Sequence, residues 1–549
     1  MSRRVTVFLF LLLTIVMGAT IISQAQPQSL LTRHVRDVAI KGQAPFVGRL
    51  PATRTMHIDV VLALRDEAGL DRFLAQVYDR TSPLFHHYVT VEQFADRFGP
   101  SRKDYDALIR FANANGLKVV GGSRNAMDVQ LKGSVAAIET AFHIRMGLYH
   151  DPIENRNFYA PDREPTVDLP FQLWHVSGLD NYFIPRPALV QRPANLKLPP
   201  ITGSCPGPSF CGSDMRAGYY EGKTLTGKGQ YIGLLEYLGF DIDDVNTYYK
   251  NIKQKRTATV KGISTDGSSL SCLASQGCDD TEQTIDITQA LGMAPGVKTL
   301  FMYVGSTDTA LLGAMTSDKP LPLNLSSSWY WYPPDPSTDN PYFKKMASQG
   351  QSFFEAAGDD GKWQQANLWW PMESQYVICV GGTDLTTKGG GGPWQSETTW
   401  VDGGGGISPD DVKIPSWQKL KGVITKSNEG STKFRNGPDL AANSNFSFYV
   451  CADQRGCTSN QIGGTSFAAP MWAGYIALAN QQAAANGDNP PGFIDPAIYP
   501  LGLGSNYKND FHDITSGSNG FPAVKGYDLA TGWGSPNKAG LINDLLGGK

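Results

Sequence analysis

Residues 462–487 read IGGTSFAAPMWAGYIALANQQAAANG, a glycine pair followed by a long and mostly apolar helical pattern. Thr465 is predicted to cap this helix, Pro470 to lie in its first turn and Gly487 to end it. Ser466 then sits at a helix N-terminus, where free N–H groups and the helix dipole favour a developing negative charge. The stretch marks Ser466 as a candidate nucleophile at a strand-to-helix turn. A small-residue helix cap packed in a core has the same pattern.

The chain before this turn alternates β-like and helical runs, which is typical of an α/β domain. The β-like runs are QYIGLLEYLG, VKTLFMYVG, PLNLSSSW, QSFFEAAG and QYVICVGG, with helical runs such as TEQTIDITQALG between them. This alternation predicts a mostly parallel sheet with helices on both faces. In such sheets, functional sites form beyond the carboxyl ends of the strands.

The N-terminal part of the chain predicts a smaller α+β domain. Helical periodicity in AGLDRFLAQVYDR, RKDYDALIRFANANG and SVAAIETAF alternates with the strand-like runs LKVVGGS, AMDVQLKG and IRMGLYH. A proline-rich stretch at residues 184–203, IPRPALVQRPANLKLPPITG, is typical of a linker. We therefore assign residues 26–195 to the first domain, as an approximate boundary, and residues 196–549 to the second.

Composition and the N-terminus indicate an exported globular protein. The 549 residues are 41% hydrophobic and carry a net charge of −3, so no broad basic surface points to nucleic acid. Residues 1–25 place Arg3 and Arg4 before an apolar run and small residues, which is the pattern of a secretory signal peptide. An uncleaved membrane anchor is the alternative. No later stretch is long and apolar enough to span a bilayer, so we expect no membrane contact after signal cleavage.

Six of the seven cysteines form three equally spaced pairs, which fits local disulfides in an oxidising compartment. The pairs are Cys205/Cys211, Cys272/Cys278 and Cys451/Cys457. Zinc is disfavoured because this spacing is wide for a close ligand pair and no histidine lies nearby. Cys379 lies in the apolar run YVICVGG, as expected of a buried free thiol.

The histidines are distributed unfavourably for a serine nucleophile, which normally gives its proton to a histidine. Seven of the eight precede residue 196 and one follows Ser466; they are His34, His57, His86, His87, His143, His150, His175 and His512. If the first domain is removable, either Ser466 is not catalytic or its base is a carboxylate. A carboxylate base suits an acidic medium. Acid would also charge the seven histidines, which we expect to loosen the first domain from the more acidic second one.

Three acidic residues have the spacing that such chemistry needs. Glu282 and Asp286 lie four residues apart in CDDTEQTIDITQALG, hence on one face of a largely apolar helix, where two carboxyl groups tend to share a proton. Asp359 follows an apolar strand in SFFEAAGDDGKW and, when protonated, can donate a hydrogen bond to an oxyanion. A solvated helix face and a turn aspartate are the structural alternatives.

Together these motifs resemble the sedolisin family of serine-carboxyl peptidases in their kumamolisin-like precursor form. Glu282 and Asp286 match Glu-x-x-x-Asp, residues 358–361 match Gly-Asp-x-Gly, and residues 464–466 match Gly-Thr-Ser. The stretch TSPLFHHYVTVEQFADRFGPS resembles a signature of the family propeptide. The resemblance implies a subtilisin-like catalytic domain with a mostly parallel sheet flanked by helices, preceded by an α+β, ferredoxin-like propeptide.

The resemblance also implies a role for each residue of the motifs. Ser466 attacks the scissile carbonyl, Glu282 takes its proton, Asp286 holds and tunes Glu282, and protonated Asp359 stabilises the oxyanion. Asp360 stands where a serine is common, so its charge is expected to move the pKa of Asp359.

Two further residues match positions that extend the hydrogen-bond network in kumamolisin-like members. These are Glu236, in the run GLLEYLG, and Trp329, at the end of SSSW. The alternative interpretation of Trp329, with equal support, is an ordinary aromatic side chain of the core.

Near the C-terminus, DITSGSNGFPAVKGYDLATGWGSPN resembles the calcium loop of the family. The implied ligands of one structural Ca²⁺ are the carboxylates of Asp513 and Asp528 and the carbonyl groups of Ile514, Val524 and Gly526. Oxygen ligands suit this hard cation. Val524 stands where glycine is common, which a carbonyl ligand tolerates if its φ is negative.

We therefore expect a secreted, acid-acting endopeptidase made as a zymogen. Its partners would be protein or peptide substrates and its own propeptide as an intramolecular inhibitor. The periplasm is the alternative location and tripeptidyl-peptidase action the alternative specificity. A catalytically silent, calcium-stabilised binding protein on the same fold is the rival from another class, and a serine hydrolase using His512 is a third hypothesis.

Overall fold

The computed structural model describes residues 27–193, 195–197, 201–332, 335–364 and 370–547. The expected signal peptide, residues 1–25, lies outside these ranges. Within them, no helix combines the length and the apolar character that crossing a membrane requires.

The N-terminal domain contains two larger antiparallel sheets with helices beside them, so the predicted α+β architecture is confirmed. Three of its helices begin at a hydroxyl cap, since Thr90, Ser101 and Ser134 each accept a hydrogen bond from the N–H three residues on. The four-stranded sheet has the order Lys118–Gly121, Asp128–Ser134, Thr55–Leu62, Leu173–Ser177, and the three-stranded sheet the order Phe46–Arg49, Met146–Asp151, Arg156–Pro161. The helices are Asp37–Ile40, Glu67–Val77, Val91–Arg97, Arg102–Ala114 and Val135–Phe142.

The C-terminal domain is organised around an eight-stranded sheet that is parallel except at one edge. Its strands read as near-continuous apolar runs because both faces are covered, and the five predicted strands are all present. The order is Thr259–Ser264, Thr299–Val304, Tyr231–Glu236, Asn324–Ser327, Ser352–Ala356, Ile378–Thr387 and antiparallel Trp394–Thr399, with Leu440–Asn443 paired in parallel to Ile378–Thr387. The predicted mostly parallel sheet is confirmed.

Helices flank this sheet, and two of them carry the candidate residues. We call Thr281–Met293 the Glu282 helix and Thr465–Asn486 the Ser466 helix. They pack closely at Gly474, where an added Cβ would lie 2.8 Å from the Ala290 carbonyl oxygen. The remaining helices are Gly212–Tyr219, Ile242–Asn251, Asp308–Met315, Asn340–Ser348, Asp495–Gly502, Tyr507–Asp510 and Gly540–Leu545.

The start of the Ser466 helix differs from the sequence prediction. Gly464 occupies the cap position, and Thr465 is the first helical residue. Pro470 lies beyond the first turn, so its missing N–H leaves the Ser466 carbonyl without its helical partner. The Ser328 hydroxyl lies 3.4 Å from that carbonyl. The helix ends as predicted at Gly487, in the left-handed conformation with φ +75°.

The cysteines pair as expected. Disulfides join Cys205 to Cys211, Cys272 to Cys278 and Cys451 to Cys457. Cys379 is a free thiol, and burial raises its pKa well above the ordinary value.

The two domains meet at an apolar interface, while the first domain also has a separate core of its own. Helix Glu67–Val77 contacts helix Asn340–Ser348 and buries Leu70, Phe73, Leu74 and Val77 in the same cluster as the central sheet. Lys344 bridges to Glu67 and Asp71, each at 2.8 Å. The Tyr78 hydroxyl donates to the Ala347 carbonyl at 2.6 Å. The first domain is therefore docked on the second along an extended, partly apolar surface.

Candidate active site

Ser466 is fully buried, and a segment from the end of the first domain contacts it directly. The Ser466 hydroxyl donates a short hydrogen bond to the Ala188 carbonyl, and the Ser466 N–H donates to the same oxygen at 3.3 Å. A Cβ added to Gly464 would lie 2.4 Å from that oxygen and 2.9 Å from Leu189 Cα. Glycine at 464 is thus needed for this close approach.

We call residues 186–192 the crossing segment. Arg186–Pro187 pairs antiparallel with Trp329–Tyr330, and Val190–Gln191 pairs antiparallel with Ile462–Gly463. Between these two pairings, the Ala188 N–H donates to the Ser328 carbonyl at 2.8 Å. The segment is therefore bound as an extended strand on both sides of the Ala188 carbonyl, the geometry by which a peptide adds to a strand edge.

Glu282 and Asp286 are both buried on the Glu282 helix. Burial raises the pKa of Glu282 well above its ordinary value, and the neighbouring Asp286 raises it further, whereas the Ser466 hydroxyl opposes the rise. Because that hydroxyl donates to Ala188, neither Glu282 carboxyl oxygen has a donor among the described residues. Burial also raises the pKa of Asp286, against the hydrogen bond that the Ser328 hydroxyl donates to it at 2.7 Å.

Asp359 lies just beyond strand Ser352–Ala356 and beneath the start of the Ser466 helix. Its Oδ1 accepts hydrogen bonds from the Thr465 N–H at 2.7 Å and the Thr465 hydroxyl at 2.9 Å. Burial raises the pKa of Asp359 well above its ordinary value, Thr465 opposes the rise, and the Asp360 charge adds to it.

The other oxygen of Asp359 lies near the Ala188 carbonyl. Asp359 Oδ2 is buried with no hydrogen-bond partner among the described residues. A Cβ added to Gly464 would lie 3.0 Å from this oxygen and 2.4 Å from the Ala188 oxygen, so the two oxygens flank one point. When Asp359 is protonated, its O–H is positioned on the side where charge would develop on the Ala188 oxygen.

Glu236 and Trp329 continue the buried network behind Asp286. The Trp329 indole N–H donates to Glu236 Oε2 at 2.8 Å, and both side chains are buried. Burial raises the pKa of Glu236 well above its ordinary value, the Asp286 charge adds to the rise, and Trp329 opposes it. A chain of contacts therefore runs from Trp329 through three carboxyl groups toward Ser466.

Two elements of this site were missed in the sequence. Ser328 joins Asp286 to the Ser466 backbone, and a signal existed in the serine run SSSW that precedes the aromatic residue. The crossing segment was interpreted as a linker. Its pairing partners lie far away in sequence, so no local periodicity could reveal them.

His512 lies in a different environment from Ser466. Its ring stacks on Trp394 with a centroid separation of 4.0 Å, and strand Phe511–His512 pairs with Ser535–Pro536. Burial lowers the pKa of His512 to about 4. Among the described residues, no hydrogen bond links His512 to Ser466.

The loop that holds the expected calcium ligands presents oxygen atoms only. Asp513 Oδ1 accepts from the Gly526 N–H at 3.0 Å, and Asp528 Oδ2 accepts from the Val524 N–H at 2.8 Å. Burial raises the pKa of Asp528 to about 7, and the N–H groups of Val524, Thr531 and Ala530 oppose the rise. Val524 is not among the residues with positive φ, so its carbonyl needs no glycine. The donor set fits a hard cation.

Comparisons with known proteins agree with this geometry. Residues 43–181 match the model of the pro-kumamolisin activation domain, and residues 273–490 match that of the subtilase family. The chain is 29% identical to kumamolisin from Bacillus sp. (strain MN-32), covering 95% of this chain and 97% of that protein. It is 28% identical to sedolisin from Pseudomonas sp. (strain 101), covering 92% and 88%.

The fold of this chain is also similar to that of a solved structure. Pseudomonas sedolisin, a serine-carboxyl proteinase complexed with two molecules of pseudo-iodotyrostatin, matches with a TM-score of 0.53 and 25% identity. The match covers 64% of this chain and 100% of that one. The chain therefore belongs to the sedolisin family of serine-carboxyl peptidases and carries a pro-kumamolisin activation domain before its subtilase domain.

Proposed function

We propose that this protein is a secreted, acid-acting serine-carboxyl endopeptidase made as a zymogen. The crossing segment is the observation that carries the proposal. Its Ala188 carbonyl is held by Ser466, while the chain continues on both sides in antiparallel pairing. A tripeptidyl-peptidase needs a free amino terminus three residues before the scissile bond. A site that accepts an uninterrupted chain in both directions supports internal cleavage.

The mechanism assigns one step to each group that touches the substrate. Ser466 Oγ attacks the carbonyl carbon while Glu282 accepts the hydroxyl proton, and Asp359 donates a hydrogen bond to the developing oxyanion. Glu282 then returns the proton to the leaving amine, and water releases the acyl group. Asp286, Glu236 and Trp329 act as positioning residues behind Glu282.

An upper pH limit for activity follows from the burial of Asp359. Asp359 donates only while it is protonated, and burial raises its pKa well above the ordinary value. The proton that stabilises the oxyanion is therefore lost as the pH rises through that value. In this account no histidine takes part in catalysis, which fits the position of His512 against Trp394.

The first domain acts as the activation propeptide in this proposal, with residues 1–25 as the signal peptide. Three disulfides support export, because such bonds persist in oxidising compartments. One Ca²⁺ bound by Asp513, Asp528 and the carbonyl groups of Ile514, Val524 and Gly526 would neutralise the two carboxylates and hold the C-terminal loop.

Incubation of the full chain with an unfolded protein substrate from pH 3 to 8, followed by N-terminal sequencing of the products, tests the function. We expect internal cleavage that is strongest in acid and absent in the Ser466→Ala variant. Release of tripeptides from the substrate N-terminus would contradict endopeptidase action. A parallel series with a calcium chelator is expected to lower the melting temperature, and an unchanged value would contradict the calcium assignment.

A further inference from the structure

We infer that the peptide bond between Ala188 and Leu189 is the one that this protein cuts to activate itself. The inference rests on the proposed function and names its first substrate. It also moves the start of the mature chain to Leu189, ahead of the boundary that composition suggests. Two features of the crossing segment support it.

The first feature is the position of the carbonyl group. Within the crossing segment, the hydroxyl and the N–H of Ser466 both donate to the Ala188 oxygen, and the unpartnered Asp359 Oδ2 flanks the same point. The candidate nucleophile and a backbone donor thus both contact the carbonyl group of Ala188. For attack on its carbon, the Ser466 hydroxyl turns its proton from the Ala188 oxygen to Glu282, while the Ser466 N–H stays on that oxygen.

The second feature is the pairing on each side of this bond. Arg186 and Pro187 lie opposite Tyr330 and Trp329, and Val190 and Gln191 lie opposite Gly463 and Ile462. Ala188 is 1% exposed, whereas Arg186 is exposed. The segment therefore offers a small buried residue before the bond and an extended backbone on both sides.

Hydrolysis of the Ala188–Leu189 bond needs no reactant other than water. Ser466 Oγ bonds to the Ala188 carbonyl carbon, and its proton passes to Glu282. The bond from that carbon to the Leu189 nitrogen breaks, and the nitrogen takes the proton from Glu282. Water then hydrolyses the ester, leaving a carboxylate on Ala188 and a free amino group on Leu189.

The same geometry indicates a preference toward other substrates. A side chain in the place of Ala188 must fit a buried position beside the Ser466 helix, so small residues are favoured before the cut. Proline is accepted one residue earlier, because Pro187 pairs there with Trp329. An acetylated, amidated peptide with the sequence IPRPALVQRP, residues 184–193, is expected to be cut between alanine and leucine.

The closing experiment follows the full chain after a shift to pH 4, with N-terminal sequencing of the first large product and a parallel assay on an unrelated peptide. We expect a new N-terminus that begins Leu-Val-Gln. In the Leu189→Pro variant this cut should be lost, because a proline after the scissile bond blocks it. Leu189 donates no backbone hydrogen bond in the described chain, so folding should be unaffected. Leu196→Pro is the control for a proline in the same stretch of chain: it removes only the hydrogen bond from the exposed Leu196 to the Pro193 carbonyl and should be processed like the unaltered chain.

The possible results separate the two proposals. Activity on the unrelated peptide with a first cut elsewhere overturns the Ala188–Leu189 assignment and leaves the proposed function intact. A folded protein that cuts neither itself nor any peptide from pH 3 to 8 overturns both. A Leu189→Pro variant that still loses its first domain at the normal rate, through a cut at another bond, also overturns the assignment.

Discussion

At the level of single residues, Asp359 has two differently bonded oxygens, which suits the oxyanion-donor role proposed for it. Oδ1 is fixed by Thr465, and Oδ2 is buried near the carbonyl that Ser466 holds. In an ordinary turn both oxygens would face water. The burial that raises the pKa of Asp359 also keeps a proton available for the oxyanion.

The Asp359→Ala variant should therefore lose transition-state stabilisation without losing substrate binding. Removal of one oxyanion donor typically lowers kcat by about 10² to 10³. Asp359→Asn should lose less, because its amide N–H can donate from the same place and its carbonyl can still accept from Thr465. Steady-state kinetics at pH 4 on processed enzyme check this order. Equal kcat values for the alanine variant and the unaltered enzyme would contradict the role.

Trp329 is expected to act on Ser466 only through the carboxyl groups. The Trp329→Phe variant removes the indole hydrogen bond that lowers the pKa of Glu236. Glu236 then keeps its proton to higher pH and raises the pKa of Glu282 less. The acidic limb of the pH profile of kcat/KM should therefore move to lower pH.

Trp331→Phe provides the control for this substitution. Trp331 is equally buried, and its indole donates to Asp339 at 3.0 Å, outside the Ser466 network. It should leave the pH profile in place. Identical shifts in both variants would mean that Trp329 is an ordinary core aromatic.

At the level of elements, the turn before the Ser466 helix is shaped by the strand that crosses it. In the Gly464→Ala variant, the new Cβ would lie 2.4 Å from the Ala188 oxygen and force the crossing segment away. We expect the full chain to remain uncut at pH 4. Gly487→Ala alters the other end of the same helix, where no atom lies within 4 Å of the added Cβ. The Gly487→Ala variant should be cleaved normally. It should lose only about 1–2 kcal/mol of stability, because alanine is disfavoured in the left-handed conformation of this residue.

Sequence patterns were sufficient for elements whose partners are local or whose strands are fully buried. The apolar runs around Glu236 and Asp359 became strands of the central sheet, and the four-residue spacing of Glu282 and Asp286 gave one helix face. The cap at Gly464 was missed because Thr465 turns its hydroxyl to Asp359 instead of its own helix. That choice is dictated by a residue more than a hundred positions away.

The structure of the crossing segment could not be predicted from the sequence. Its prolines and its composition are those of a linker, and its β-structure exists only because Trp329–Tyr330 and Ile462–Gly463 provide strand edges on either side. Neither edge can be identified before the fold is known. The positions of Ser466, Glu282 and Asp359 on their helices and strand end could be predicted, but the backbone segment that contacts Ser466 could not.

At the level of the whole molecule, the interface between the two domains contains groups with opposite responses to pH. Asp308 accepts from the Ser177 hydroxyl at 2.8 Å, and burial raises its pKa, so it stabilises the assembly in acid and less as the pH rises. His175 stacks on His34 at 4.4 Å, and burial lowers its pKa well below 6.5. Protonation of His175 therefore opposes the docked state as the pH falls below about 6.5.

Both groups line a cavity of about 290 Å³ between the domains. The titratable and charged groups that line it with His175 and Asp308 are His34, Arg36, His57, Tyr159, Asp180, Tyr237 and Tyr332. His34 and Arg36 carry or can carry positive charge near His175, and both lower its pKa further. Of the seven histidines that we expect to loosen the first domain in acid, the stacked pair His34 and His175 is therefore the one that we single out.

We expect the His175→Gln variant to resist acid better than the parent chain. Measured in the Ser466→Ala background to prevent self-cleavage, the drop in melting temperature from pH 7.5 to pH 4 should be smaller. His57→Gln, at an exposed side chain of the same cavity, should behave like the parent. An unchanged pH dependence in His175→Gln would contradict the role of this histidine.

The Asp308→Asn substitution should also change the dependence of the melting temperature on pH, but mainly at neutral pH instead of acidic pH. The amide cannot ionise, so the melting temperature should rise at pH 7.5 and rise less at pH 4, because the raised pKa of Asp308 makes its carboxyl group more protonated as the pH falls. Differential scanning calorimetry of the two variants side by side separates the two effects. A stabilisation of Asp308→Asn that is equal at both pH values would show that charge is not its cause.

The pH dependence of kcat/KM for one N-terminally acetylated peptide, measured from pH 3 to 8 with processed enzyme, tests the central claim most directly. A serine served by Glu282 and a protonated Asp359 predicts a maximum in the acidic range and a decline toward neutral pH. The Glu282→Gln variant should lose nearly all of this activity across the range. A maximum at neutral or alkaline pH, or a Glu282→Gln variant with undiminished activity, would contradict the account.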